Sequence, residues 1–387
     1  MSVLPTPTAE RPAGDVRPLP PGQGGPGGSG PSLLVSRALG LGDFATAVPA
    51  LRALERALPA WHRVLAGPSW YRHLVALAGL RWEVLPTEPL CVPDGASAPD
   101  LAVNLHGRGP QSTAALASLG PERLWTHGHP SAPEWPGPEW PRGVHDAEIW
   151  CRLLRLHGVA ADPDDLRWPR PPEWADRSGP GDPVVAGDTA VVHPGAASES
   201  RRWPAERFAR VAAHLAASGL RVVVTGSERE VALAERVAEA AGIGPRAVLA
   251  GRTSLDLLAR LVAGARLVVC GDTGVGHLST AYGTPSVRLF GPVSPRLWGP
   301  RVDRDLHVCL WRGGRGDPHA ATLDPGLEAI GVEEVVTACD TALAAAAGHA
   351  GEGAVAGHAG EGAVAGRAAG ERTAGGRTAG EKRISEP

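Results

Sequence analysis

Short apolar runs alternate with helical patterns through residues 190–290, and no other stretch of this 387-residue chain limits its fold so tightly. Ala190-Val191-Val192, Arg221-Val222-Val223-Val224, Ala247-Val248-Leu249, Leu267-Val268-Val269-Cys270 and Ser286–Phe290 read as strands. Between them the spacing predicts a helix over 204–217, started by Pro204 and closed by Gly219, and further helices near 228–241, 254–264 and 275–282. Thr253-Ser-Leu-Asp256 resembles a capping box opening the third of these. Such an alternation implies a parallel sheet covered on both faces.

A second series opens with the strand Leu33–Ser36, followed by Phe44, Val48, Leu51, Leu54 and Leu58 at helical spacing. Pro49 falls inside that pattern and predicts either a kink or a helix that starts near it. The proline-rich run 163–183 interrupts both series. The fold class expected is therefore α/β, with two doubly wound Rossmann-like domains over 32–170 and 184–345 and a Pro-rich linker over 171–183. Residues 1–31 are dominated by Pro and Gly, and GHAGEGAVA occurs at 348–356 and again at 357–365; both ends, 1–31 and 346–387, are expected to be disordered tails. Two doubly wound sheets leave a cleft at the carboxyl ends of their strands, where ligands of such sheets bind.

Composition narrows the function. With 38 Lys+Arg against 41 Asp+Glu the net charge is −3, which argues against a generic nucleic-acid binder. Lys382 is the one lysine, so nearly all positive charge is arginine and a single arginine carries little information. Five widely spaced cysteines fit neither a disulfide framework nor a zinc knuckle, and a reducing cytoplasm is the expected setting. No apolar run suits a signal peptide or a membrane span. The 14 histidines are scattered, without H-E-x-x-H or D-x-D, so a metal-independent protein with no cofactor is expected.

Three segments carry candidate chemistry. In Ser36-Arg-Ala-Leu-Gly-Leu-Gly-Asp43 a strand runs into a glycine-bearing turn, and Asp43 either projects into the cleft or serves as a helix N-cap. After His193-Pro-Gly195, the arginines of Ser198-Glu-Ser-Arg201-Arg202-Trp203-Pro204 either hold a phosphate near a helix start or are solvated while Trp203 packs. In Gly271-Asp272-Thr273-Gly274-Val275-Gly276-His277 small residues expose successive amides at a helix start, a nest for an anion, while His277 is either a ligand contact or a satisfied buried histidine.

The blocks LLVSRALGLGDFATAVPALRAL, VVHPGAASESRRWPAERFARVAAHLAASGLRVVVTGSERE and LAGRTSLDLLARLVAGARLVVCGDTGVGHLSTAYGTPSVRLFGP, in this order, resemble the heptosyltransferase-type glycosyltransferases of family 9. The resemblance implies the two-domain GT-B architecture and sugar transfer, inverting and without a metal, from a nucleotide-diphosphate donor, ADP-heptose favoured. The acceptor would be a glycan or lipid-linked sugar, and membrane contact, if any, peripheral. Carried over by motif, Asp43 matches the general base, Arg201 a donor-phosphate contact and Glu228 an acid that touches the nucleotide ribose. Asp272, Thr273, Gly274 and His277 match the element around the diphosphate and sugar, with the Val275 amide beside them. Gly42, with His106 and Arg108 of Asn104-Leu-His106-Gly-Arg108, is expected to touch acceptor or donor sugar; a plain glycine turn is the other reading of 104–111. A non-catalytic nucleotide-sugar binder and an epimerase of the same fold are the rival functions.

Overall fold

The computed structural model describes residues 30–92, 94–177 and 188–348. The first lobe comprises β1 (Ser32–Ser36), α1 (Leu41–Ala57), β2 (His62–Gly67), α2 (Tyr71–Leu77), β3 (Glu83–Pro86), β4 (Leu101–Asn104), α3 (Gln111–Ala117), β5 (Arg123–Trp125) and α4 (Asp146–Leu156). Its sheet is parallel, in the order β3-β2-β1-β4-β5, with β1 in register between β2 and β4. Phe44, Val48, Leu51 and Leu54 of α1 are buried against it, as their spacing requires. Pro49 is buried within α1, which starts at Leu41; a start near Pro49 is thus overturned, because Gly40 and Asp43 fix the first turn earlier in the chain.

The second lobe repeats the plan with β6 (Thr189–His193), α5 (Ala205–Ala217), β7 (Arg221–Val224), α6 (Val231–Ala240), α7 (Leu255–Gly264), β8 (Leu267–Gly271), α8 (Gly274–Tyr282), β9 (Ser286–Leu289), α9 (Pro295–Trp298), β10 (His307–Leu310), α10 (Pro325–Glu328) and α11 over 332–348. The parallel order is β10-β9-β8-β6-β7. The strand expected at 247–249 does not form: Pro245–Ala247 is a 3-10 turn and Val248 makes a single bridge to Val224. The 3-10 turn takes up Ala247 and leaves only Val248 and Leu249 extended beside β7, which stays at the edge. Ser254, not Thr253, caps α7, its Oγ accepting from the Leu257 amide at 3.2 Å. Residues 346–348, placed in the tail by composition, are helical, and Val335, Cys339 and Ala342 bury the apolar face of that helix. Residues 1–29, 349–387 and 178–187, which carry most of both expected tails, the nine-residue repeat and part of the linker, lie outside the described residues.

The proline-rich run ahead of the linker is stapled down. The Trp168 amide donates to Ala281 O at 2.9 Å, Arg167 Nη1 to Thr280 O at 2.9 Å, and Arg301 Nε to Asp164 Oδ1 at 2.7 Å. Proline removes helical periodicity here without removing packing.

The lobes meet where the N-termini of α1 and α8 approach. A Cβ on Gly42 would lie 2.9 Å from His277 Cδ2, and one on Gly274 would lie 2.8 Å from Leu41 Cβ. One apolar cluster runs across this seam, from Phe44 and Leu51 to Leu278 and Tyr282. His145 Nε2 is 2.9 Å from Gly299 O, and Arg296 Nη2 donates to Gly143 O at 2.8 Å. Gly42→Val is expected to wedge the lobes apart and enlarge the radius of gyration measured by small-angle scattering. A superimposable scattering curve would show that these helices do not meet in solution.

Candidate active site

Each sheet reverses its winding direction once. In the first lobe this happens between β1 and β4, in the second between β6 and β8, and ligands of open α/β sheets bind at such points. The loops after β1 and β4 carry Asp43 and His106; those after β6 and β8 carry Arg201 and Asp272.

The first-lobe half is framed by Arg37, which is 1% exposed. Its Nη2 donates to Asp146 Oδ2 at 2.8 Å and Thr46 Oγ1 at 3.2 Å, its Nη1 to Leu105 O at 2.5 Å, and its Nε to Asp43 O at 2.7 Å. The guanidinium also lies 4.7 Å from the Trp150 ring centroid, whose indole donates to Asp146 Oδ2 at 2.9 Å. Tyr71, fully buried, pins the loop by donating to Leu39 O at 3.1 Å and accepting from its amide at 3.3 Å. Asp43 is not the N-cap of α1; Gly40 is. From the first turn Asp43 Oδ2 accepts the Gly40 amide at 3.2 Å, and Oδ1 stays 3.5 Å from Arg37. Burial raises its pKa and Asp146 adds to this, while Arg37 opposes. His106 Nδ1 accepts the Ala38 amide at 3.0 Å, and burial beside Arg37 lowers its pKa to about 4, so the ring is neutral with its proton on Nε2. Arg108 is exposed.

In the second lobe Arg201 closes a 3-10 turn after β6 and donates from Nη1 to Asp272 O at 3.3 Å, while its buried Nε has no partner among the described residues. Asp272 follows β8. Burial lifts its pKa to about 6; Arg201 and Arg288 pull it down and Asp43 pushes it up, so the two carboxylates feel each other across the seam. Thr273 is the N-cap of α8, and Gly274 and Val275 are its first residues, whose amides have no acceptor within the helix. His277 is neutral, its pKa lowered to about 3 by burial with nearby Arg288. Its ring packs edge-on to Trp298 at 6.1 Å and against Gly42.

The structure therefore brings Gly42, Asp43, Arg201, Asp272, Thr273, Gly274, Val275 and His277 to one junction, with His106 on the same first-lobe loop pair. Glu228 stands apart: it is exposed on the turn after β7, over Gly251. The acid that leans on the β6 loop is Glu230, whose carboxylate packs on Gly195 and accepts from the Ser227 amide at 2.8 Å. Arg37, Asp146, Glu230 and Arg288 escape sequence reasoning. Arginine is too common here to mark a site, and Glu230 is two positions from the motif acid. Among the described residues no three His, Cys, Asp or Glu side chains converge as metal ligands. The junction can hold an anion at α8 and Arg201 while a carboxylate faces it from the other lobe.

Residues 172–319 match the family model of glycosyltransferase family 9 (heptosyltransferase). The match lies over most of the second lobe. It is 36% identical over 118 residues to lipopolysaccharide heptosyltransferase 1 of Escherichia coli (strain K12), a match over 30% of this chain and 36% of that relative. The matched segment thus spans about a third of that relative's length. Among solved structures it resembles a family 9 glycosyl transferase from Veillonella parvula, with a TM-score of 0.66 at 21% identity over 81% of this chain and 97% of the other. It also resembles Escherichia coli heptosyltransferase WaaC with ADP, with a TM-score of 0.58 at 21% identity over 79% of this chain and 98% of the other. The architecture is GT-B.

Two measurements probe this site. Asp146→Ala leaves Arg37 buried without its carboxylate and is expected to lower unfolding free energy by roughly 3–5 kcal/mol in a denaturant titration. Asp272 has a folded pKa above its unfolded one, so the favoured protonated form stabilises the fold at acid pH, and that contribution is lost as pH rises through about 6. Asp272→Asn is therefore expected to raise Tm at neutral pH, with the gain shrinking on acidification. A gain that grew on acidification would reverse the assignment.

Proposed function

We propose that the chain is an inverting, metal-independent glycosyltransferase that moves a sugar, heptose favoured, from a nucleotide-diphosphate donor to a hydroxyl of a glycan or lipid-linked acceptor. ADP-heptose is the favoured donor; in support, one of the structural neighbours is a heptosyltransferase with ADP. The observation that carries the reading is the meeting, across the seam, of the Asp43 turn with the start of α8, where Asp272 feels both Asp43 and Arg201.

Asp43 would take the proton from the acceptor hydroxyl as that oxygen attacks the anomeric carbon. The bond to the departing diphosphate breaks on the opposite face of the sugar, which inverts the centre. Negative charge then grows on the diphosphate, and Arg201 with the Gly274 and Val275 amides would stabilise it in the role a divalent ion plays elsewhere. A buried carboxylate with a raised pKa is a stronger base than a solvated one, which suits proton abstraction. Neutral His106 and His277 would offer hydrogen bonds to sugar hydroxyls, and Glu228, exposed at the end of β7, would reach the nucleotide ribose. We place the reaction in the cytoplasm, peripheral at the inner membrane face where the acceptor is lipid-linked; among the described residues no helix is long and apolar enough to cross a membrane.

Asp43 separates transfer from mere binding, since a binder gains nothing from a buried acid beside the acceptor. Asp43→Asn is expected to leave ADP binding near normal, by calorimetry, while cutting transfer by roughly 10²- to 10⁴-fold. Undiminished turnover in the variant would remove the mechanism. The acid limb of kcat/KM is expected above the ordinary carboxylate range, because activity needs ionised Asp43 and burial makes it protonate earlier as pH falls. Incubation with ADP-heptose alone, without acceptor, is expected to leave the sugar unchanged; an altered sugar would favour epimerisation.

A further inference from the structure

Arg288 on β9 is 2% exposed and passes beneath α8 at Gly276. Its Nε donates to Ser286 Oγ at 3.0 Å, and its Nη2 to Ser279 Oγ at 3.0 Å and Thr280 Oγ1 at 2.5 Å. These acceptors are neutral. No described carboxylate lies within 4.0 Å, so unlike Arg37 this guanidinium has no ion-pair partner. Its neighbours across the sheet are Cys270 and Cys309, both thiols kept protonated by burial, and the nearby His277 and His307 are neutral. Room for the guanidinium comes from Gly276, where a Cβ would stand 3.2 Å from Arg288 Cδ and 3.3 Å from Nε.

A buried, unpaired cation is costly unless something compensates it. Among the described residues the one carboxylate that acts on it is Asp272, at the mouth of the same helix, beside the thiols already named. Charge in a poorly solvated interior acts over longer distances than at a surface. The positive field of Arg288 therefore adds to the exposed amides of α8 at the point where Arg201 also arrives.

We propose that Arg288 is a positioning residue for the diphosphate: it braces the first turns of α8 through Ser279 and Thr280, and its uncompensated charge raises the affinity of that helix start for a pyrophosphate group. The inference rests on the functional reading above. It assigns Arg288 no contact with the ligand.

The test compares three probes, ADP, inorganic pyrophosphate and adenosine, by calorimetry on the full chain. Arg288→Gln keeps hydrogen-bonding capacity and drops the charge; Arg288→Met is the second neutral variant should the first not fold. Either is expected to weaken ADP and pyrophosphate by about tenfold and leave adenosine unchanged, since a single charge at this remove is worth on the order of one decade. Arg288→Lys is expected to restore most of the loss. Pyrophosphate binding as in the parent protein would overturn the proposal, and so would equal weakening of adenosine and ADP, which would mark a structural role. Failure of the parent protein to bind either ADP or pyrophosphate would instead overturn the functional reading itself.

Discussion

Two helix N-termini brought head to head, with glycine at each contact point, are the constraint from which the rest of this site follows. Each end concentrates unpaired amides and partial positive charge, so two of them meeting would repel unless anions sat between. Asp43 in the first turn of α1 and Asp272 at the entrance to α8 supply that charge. Burial makes both carboxyls hold their protons more tightly than usual, with Asp146 adding to the effect at Asp43 and Asp43 adding to it at Asp272. The junction is thus balanced for exchange: added negative charge from a ligand would find amides and arginines waiting, at the expense of the carboxylates already there.

Two buried arginines divide the labour. Arg37 is fully committed, with Asp146, Thr46, Leu105 and the Asp43 carbonyl around it, and acts as a frame for the first-lobe loop. Arg288 bonds to hydroxyls alone and keeps its charge unbalanced under the second-lobe helix. The same residue type therefore sets geometry on one side of the seam and field on the other. Hydrogen-bond partners make the difference, and these depend on tertiary contacts.

That division also explains what the sequence could and could not reveal. The second lobe was legible because β6, β7 and β8 are Val-rich runs buried on both faces, spaced by helices of ordinary length. Most of the first lobe was not: β3 ends on a proline, β5 has three residues, and α4 follows a loop dense in Pro and Trp, so neither period develops. Asp43, Asp272 and His277 stood out because glycines flank them at strand ends, a pattern with a mechanical meaning. Arg37 had the same location but was hidden by the abundance of arginine, and its partner Asp146 lies 109 positions away. In the segment 163–170 proline breaks the periodicity and says nothing about whether Trp168 is buried.

Gly274 and Gly276 appear equivalent as sequence, yet the fold uses them differently. Gly274 lets Leu41 of the other lobe close on α8, whereas Gly276 lets Arg288 pass beneath it. One glycine serves closure and the other charge placement. The closure is tight: a Cβ on Gly42 or Gly274 would stand 2.9 or 2.8 Å from the opposite lobe. On the functional reading proposed above, the lobes must part to admit a nucleotide sugar. The polar ties at His145–Gly299, Arg296–Gly143 and Arg301–Asp164 are then the contacts to be broken and remade, because water can replace them at small net cost, while the apolar cluster beneath α1 and α8 sets how far the parting can go.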